Sequence, residues 1–256
     1  MMRFASLGSG SGGNALVVEV EQTRILLDCG FGLADVTRRL ARVGLIPADL
    51  SAIVVTHEHA DHLGGVARLA RRYQIPVWLT HGSYHAVEAL LEGVPKLHFI
   101  SNYERFSVGA IQVTPYPVPH DAREPAQYVF GDGARRLGVL TDAGSTTRHI
   151  EQVLSGVDAL VLECNHDTDM LRGGSYPQRL KERIAGRFGH LDNRAAAALA
   201  SRLDLTRLQH MVAAHLSEQN NRPELASLAL ATVLNCAQSW IRIARQDSGF
   251  PWLQIT

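Results

Sequence analysis

Within the stretch IVVTHEHADHLGG (Ile53–Gly65), six consecutive positions hold three histidines, an aspartate and a glutamate: His57, Glu58, His59, Asp61 and His62. The whole chain carries only 12 His in 256 residues, so this density is not a chance polar loop. Ile53, Val54 and Val55 form a β-branched run that predicts a short buried strand. In an extended chain His57 and His59, at i and i+2, point the same way. Asp61 and His62 then lead into LGGVARLARRY, whose apolar residues Leu63, Val66, Leu69 and Ala70 have helical spacing. Imidazoles and a carboxylate thus meet on a strand-to-helix loop, where α/β proteins build their sites. The chemistry this implies is binding of a divalent metal. Four donors could hold one ion with a carboxylate to spare, or begin a pair. The spacing differs from H-E-x-x-H, in which two histidines share one helical face.

More donors sit where strands are expected to end. His120 ends IQVTPYPVP, Asp142 ends RLGVLT and His215 ends LQHMVAA. In layered α/β folds ligands gather at strand ends along one sheet edge, so these three join the cluster as candidates for a two-metal centre. The elements between them alternate. NALVVEVEQTRILLDCG predicts two strands around Glu21–Thr23, GLADVTRRLARVG a helix, PVWLTH a strand and GSYHAVEALLEG a helix. AQYVFGDGARRLGVLTDAG is a hairpin turning at Gly131–Gly133. HIEQVLSG, YPQRLKERIAGRFG, NRAAAALASRLDL and RPELASLALATVLNCAQS predict helices, DALVLEC a strand and WIRIARQ the closing strand. Residues 15–30 and 127–144 echo each other as strand, turn, strand and Asp-x-Gly. Two β-rich halves, each with helices outside, satisfy the burial rules as an α/β four-layer αββα sandwich. No linker interrupts residues 1–256, which predicts one domain. GSGSGG (Gly8–Gly13) matches G-x-G-x-x-G in form, but a strand follows it instead of the helix a dinucleotide loop requires. A tight turn near the site, or a nest of backbone N–H groups for an anion, remain for it.

Composition bounds the partners. At 46% hydrophobic and 20% charged the chain is an ordinary globular one. The net charge is zero, so no global field recruits nucleic acid and any such partner needs a local basic patch. Of 25 basic residues only Lys96 and Lys181 are lysine. Cys29, Cys164 and Cys236 are sparse and without C-x-x-C, which predicts free thiols in a reducing compartment. The start MMRFASLGSGSGG has no leader pattern, and no apolar run is long enough to span a membrane. The cytoplasm is the expected location; nothing in the sequence fixes the oligomeric state.

THEHADH resembles the T-H-x-H-x-D-H signature of the metallo-β-lactamase fold, and the order His120, Asp142, His215 matches its later motifs over nearly the whole chain. More narrowly, FASLGSGSGGNA, LLDCG, THEHADHLGG, ECNHD, YPQRLKERIAGRFGHLDN and AHLSEQNN resemble the YycJ (WalJ) branch of exonucleases. The resemblance implies that His57, His59 and His120 hold one metal, that Asp61, His62 and His215 hold a second, and that Asp142 bridges them. Such nitrogen and oxygen donors fit Zn²⁺ and also Mn²⁺. Two ions about 3.5–4 Å apart can share a hydroxide nucleophile and clamp an in-line displacement. By the same resemblance Asp28 is the carboxylate that steadies a His ligand, unless it only caps a turn.

The fold hosts β-lactamases, thioesterases, lactonases and nucleases, so the substrate must be argued from the site. Thioesterase and lactonase branches carry their third-motif His in GH[ST]; here it stands in PVPHDA. In the resembling transfer-RNA 3′-processing enzymes, a Glu in a HEAT loop orients a His in a GHST loop. Glu163 in LVLECNHD and His190 in GHLDN occupy those places, which implies that His190 protonates a departing alkoxide and Glu163 sets its tautomer and pKa. Two features depart from those enzymes. Asp192 replaces the hydroxyl residue, as a cap for the helix that follows, and the PxKxRN loop and tRNA-gripping arm are missing. The step of 73 positions from Asp142 to His215 leaves no room for a β-CASP cap domain. Roles for His166 and Asp167 stay open. Residues 172–194 hold six basic side chains against two acidic ones beside His190, where a nucleic-acid backbone would approach. The reading is a binuclear phosphodiesterase, a DNA exonuclease of the 5′-3′ type by resemblance, with DNA favoured over RNA and no membrane partner. An ester, thioester or lactone hydrolase with the same centre is the alternative, and a non-catalytic binding protein the third class.

Overall fold

Strand side chains alternate between two faces, and here both faces are apolar, so each sheet must be covered twice. A computed structural model describes residues 1–256. The first sheet orders β14 (Phe250–Ile255), β1 (Met2–Gly8), β2 (Ala15–Val20), β3 (Thr23–Leu27), β4 (Ala52–Val54), β5 (Val77–Thr80) and β6 (Leu97–Ile100). The second orders β7 (Phe106–Val108), β8 (Ile111–Pro117), β9 (Ala126–Gly131), β10 (Arg136–Leu140), β11 (Ala159–Glu163), β12 (His210–Ala214) and β13 (Arg242–Ile243). Leu16, Val18, Ile25 and Leu27 meet Val113, Tyr128, Val139 and Val161 in a core between the sheets. The alternate residues Val17, Leu26 and Ile53 pack outward beneath α1 (Leu33–Arg42) and α3 (Val66–Tyr73). Leu140, Leu160 and Leu162 pack outward beneath α5 (Arg148–Leu154), α8 (Asn193–Ala200) and α9 (Pro223–Leu234). Three apolar layers between four structural ones are the αββα sandwich.

The two sheets repeat one topology. In each, the first four strands are antiparallel neighbours and the next three add in parallel, so β3 corresponds to β10 and β4 to β11. The sequence echo marks this repeat: Asp28 follows β3, Asp142 follows β10, and both take left-handed backbone at φ 60° and 52°. No helix is long and apolar enough to cross a membrane.

Three local expectations need correction. WIRIARQ gives only the two-residue β13, and the chain closes instead on β14, where Phe250, Leu253 and Ile255 pair with β1 across a bulge between Phe4 and Ser6. β1 itself and β6 carry weak strand patterns and are supplied by their neighbours in the sheet. The helix after the His cluster is two: α2 (Ala60–Leu63) and α3 break at Gly64–Gly65. A side chain at Gly65 would sit 1.9 Å from Phe31 O, and one at Gly30 would sit 2.0 Å from Asp61 O. These glycines let the loop after β3 clasp the His loop through Cys29 N–His62 O and Gly65 N–Cys29 O, both 2.7 Å.

Candidate metal centre

β4 ends at Val54, and the chain bends at Glu58, so His57 and His59 converge through a bend and not through an extended strand. The Glu58 carboxylate faces away, accepting from Arg123 N (2.7 Å) and Ser83 Oγ (3.3 Å), and pins the loop. Tyr128 of β9 donates to Val55 O (2.6 Å), tying this loop to the second sheet. Asp61 and His62 lie on α2. His120 follows β8, Asp142 follows β10, Glu163 ends β11, His190 precedes α8 and His215 follows β12. His215, like Asp142, is held at positive φ (55°). Such backbone in a non-glycine residue costs about 1–2 kcal/mol and turns the side chain off the strand into the centre.

The structure brings all nine sequence-derived candidates together. Each imidazole of the ligand set has one nitrogen fixed by an oxygen outside the centre. Thr56 Oγ1 donates to Asp28 Oδ2 (2.8 Å) and so accepts from His57 Nδ1 (2.9 Å). His62 Nδ1 donates to Asp28 Oδ2 (2.8 Å), His59 Nε2 to Asp121 O (3.2 Å), His120 Nδ1 to Gly189 O (3.0 Å) and His215 Nδ1 to Glu163 Oε1 (3.2 Å). The other nitrogens then present lone pairs inward. His59 Nδ1 lies 3.0 Å from His57 Nε2 and 3.3 Å from His120 Nε2. A second group forms where His62 Nε2 lies 3.3 Å from Asp61 Oδ2 and 3.1 Å from Asp142 Oδ2, with His215 Nε2 3.5 Å from Asp61 Oδ2.

Converging lone pairs repel unless a cation lies among them. Nitrogens bound tetrahedrally at about 2.0–2.1 Å stand about 3.3 Å apart, close to the spacing found. Asp142 Oδ2 and His215 Nε2 are buried without any aligned hydrogen-bond partner, atoms that a metal would satisfy. The fold and this donor set imply divalent metal ions. The field agrees. Burial opposes a charge on His215, yet Asp142, Asp61 and Glu163 outweigh it and push its pKa up to about 10. Burial likewise opposes a charge on His62, but Asp142 and Asp28 outweigh it and raise its pKa well above the ordinary histidine value. His57, buried and beside His62, is held well below the ordinary histidine value and keeps its lone pair.

Behind the metal-type donors, Glu163 is fully buried. Its Oε2 accepts from Ala143 N and Leu191 N (3.0 Å each), and its Oε1 from His190 Nδ1 (2.8 Å) as well as His215. Burial would raise its pKa, but His190 holds it at about 2; burial would lower that of His190, but Glu163 raises it. His190 keeps 22% of its side chain exposed and, with Asp61, Asp142 and His215, lines a cavity of about 190 Å³ roofed by α7 (Gln178–Ile184). Of the six cations in residues 172–194 only Arg183 lines that cavity, paired to Asp121 (2.5 Å); Arg172 and Arg194 turn toward Asp169.

Asp192 caps α8 through Ala195 N (2.8 Å), as expected from the sequence, and Asp167 caps α6 (Thr168–Gly173). His166 is a buried bridge residue beside Asp192 and does not reach the centre. The GSGSGG turn lies at the site: Ser11 lines the cavity and Ser9 Oγ accepts from His215 N (2.9 Å). Two residues escaped the sequence reading. Asn14 Nδ2 lies 3.2 Å from Asp61 Oδ2 and 3.1 Å from His62 Nε2, and Asp121 Oδ1 lies 3.5 Å from His120 Nε2. Their signals were an amide closing a glycine turn and an acid next to a candidate His.

The family model for the beta-lactamase superfamily domain matches residues 23–216. Exodeoxyribonuclease YycJ of Bacillus anthracis is 36% identical over 237 residues, covering 91% of this chain and 89% of that protein. Exodeoxyribonuclease WalJ of Streptococcus pneumoniae is 33% identical, covering 91% and 88%. The crystal structure of the metallo-beta-lactamase fold protein YhfI from Bacillus subtilis superposes with a TM-score of 0.77 at 16% identity, covering 99% and 100% of the two chains.

Proposed function

Because the chain belongs to the beta-lactamase superfamily, and within it to the metallo-β-lactamase-fold hydrolases that include YycJ and WalJ, we propose that it is a binuclear phosphodiesterase. Its substrate is DNA, cut as an exonuclease of the 5′-3′ type, and residues 1–256 work as one unit in the cytoplasm, consistent with three free cysteines. His57, His59 and His120 hold one ion; Asp61, His62 and His215 hold the other; Asp142 serves both. The all-nitrogen-and-oxygen donor set favours Zn²⁺, with Mn²⁺ the second choice. Two such ions supply a water nucleophile active at neutral pH and positive charge for phosphate oxygens.

The observation that carries the phosphodiester reading is the Glu163–His190 pair, 2.8 Å long and opening on the cavity. Glu163 accepts from Nδ1–H and raises the pKa of His190, so the doubly protonated ring also carries Nε2–H, a proton it can deliver to a departing 3′- or 5′-alkoxide in the cavity. An ester with a good leaving group needs no such acid. Asp28 and Thr56 orient His57 and His62, and Arg183 offers a cation at the rim.

The test is protein loaded with Zn²⁺ or Mn²⁺ and offered DNA and RNA labelled at either end, alongside activated esters, thioesters and lactones. Release of the 5′ label from DNA ahead of the 3′ label is expected. Fast ester, thioester or lactone turnover with no cleavage of either nucleic acid would overturn the reading.

A further inference from the structure

Outside the metal centre a groove of about 570 Å³ runs between the outward face of the β8–β9 hairpin and α5. Arg105, Arg135, Arg136, Arg207 and His149 line it, and no Asp or Glu does. In a chain of zero net charge that is a concentrated positive field. Part of it has a structural use. Arg136 donates to Val153 O (2.8 Å) and Ser155 O (3.1 Å) at the end of α5, and Arg207 neutralises the buried Asp158 (3.0 Å). The rest has none. Arg105 has no carboxylate within 4 Å, and Arg135 reaches only Asp158, already paired, at 3.8 Å. Burial, and then the charge of Arg105, depress the pKa of Arg136, so the cations strain against one another.

The groove is placed one strand length from the metal-type donors. β10 starts with Arg136 in the groove and leads directly to Asp142 in the centre, a rise of about 20 Å at 3.3 Å per residue. His149, in the first turn of α5, lines the groove only seven residues beyond Asp142. We propose that this groove is a second phosphate-binding site, which takes the sugar–phosphate backbone of a nucleic-acid strand whose end lies at the metal centre. The proposal rests on the nuclease reading above. At the 3.4 Å rise of a stacked strand, about 20 Å corresponds to roughly six nucleotides. Shorter substrates do not reach the groove.

The test compares the metal-loaded enzyme with its Arg105→Ala/Arg135→Ala variant, which leaves the structural bonds of Arg136 and Arg207 in place. Substrates are thymidine nitrophenyl phosphate and DNA of 4, 10 and 20 nucleotides, across about 50–200 mM salt. For wild type, kcat/KM should rise between the 4-mer and the 10-mer. In the variant it should fall about tenfold on the 10-mer and 20-mer, and the salt slope should shrink by about 1.4, at roughly 0.7 per single-strand phosphate contact. The small reporter should turn over unchanged, which also shows the variant folded. Equal kcat/KM and equal salt slope on the long substrates would overturn the proposal while leaving the nuclease reading intact. Should wild type cleave no nucleic acid, that reading fails instead, and calorimetry with tripolyphosphate decides the groove. Binding abolished by the double substitution would replace the strand with a free polyphosphate, and no binding would overturn the site.

Discussion

Glu163→Gln should invert the tautomer of two histidines at once. The wild-type carboxylate accepts four hydrogen bonds: Oε2 from two backbone amides at 3.0 Å, and Oε1 from His190 Nδ1 at 2.8 Å and His215 Nδ1 at 3.2 Å. A glutamine has one accepting oxygen. The Ala143 and Leu191 N–H groups cannot turn, so they take that oxygen, and the amide NH₂ faces the imidazoles. His190 and His215 must then accept at Nδ1 and carry their proton on Nε2. A protonated His215 Nε2 has no lone pair for a metal. The loss is one charge-assisted hydrogen bond to a ligand, about 1.5–3 kcal/mol. At 1.4 kcal/mol per tenfold that is roughly 10–100-fold in affinity, the range typical for partners of metal ligands. Calorimetric titration of Zn²⁺ into metal-free protein should show the His57–His59–His120 ion unchanged and the second ion weakened by that factor. A thermal melt checks the fold. Two ions of unchanged affinity in Glu163→Gln would refute the tautomer argument.

Asp142→Ala should remove both ions, because its carboxylate lies 3.1 Å from His62 Nε2 of one group and 4.0 Å from His120 Nε2 of the other; elemental analysis retaining two equivalents would count against a bridge. His190→Ala should keep both ions and lower kcat on DNA by about 10²–10⁴-fold, with much less effect on a nitrophenyl phosphodiester, whose leaving group needs no acid. Equal loss on both substrates would remove the general-acid role. Glu19 is buried, which would raise its pKa, but Arg3 (2.6 Å) and Arg24 (2.7 Å) lower it below the usual carboxylate value. Its stabilisation is therefore present above the unfolded pKa near 4.5 and lost as pH falls through the depressed folded one. Glu19→Gln should cost about 1–3 kcal/mol at pH 7, and the difference from wild type in urea melts should shrink as pH falls below 4.5.

The metal-type donors were legible because His120, Asp142 and His215 follow strand ends, the other four crowd one strand-to-helix loop, and all are residue types that chemistry needs there. The two-layer core was legible because β2, β3, β10 and β11 are apolar at nearly every position, as strands buried on both faces must be. The edge elements were not. β14 contains Pro251, and β6 exposes Phe99; such strands exist because a neighbour offers unpaired backbone, which no local pattern records. The basic segment 172–194 was readable as charge, but its direction was not: α7 buries no residue, so nothing in its periodicity says which cations face the cavity. The groove cations Arg105, Arg135, Arg136 and Arg207 are spread over a hundred positions and become a patch only when the hairpin and α5 pack together.

The repeat explains how so many donors reach one place. Corresponding strands of two facing sheets end at the same edge, so a turn after β3 and a turn after β10 approach each other automatically. Both turns use an aspartate in left-handed backbone, which Asp tolerates better than most residues, yet the two have separate roles. Asp28 withdraws behind His57 and His62 and anchors them through Thr56 and Nδ1, whereas Asp142 projects between the two donor groups. The loops after β4 and β11 diverge in the same way. The first supplies His57, His59, Asp61 and His62; the second supplies Glu163, which stands behind His215 and His190 and aligns both through their Nδ1 atoms. One half therefore carries most of the ligands and the other carries the acid, so the arrangement that binds cations and the arrangement that moves a proton can be altered separately. That separability is what the contrast between Asp142→Ala and His190→Ala measures. If His190→Ala also lost metal, cation binding and proton transfer would be acting as a single unit.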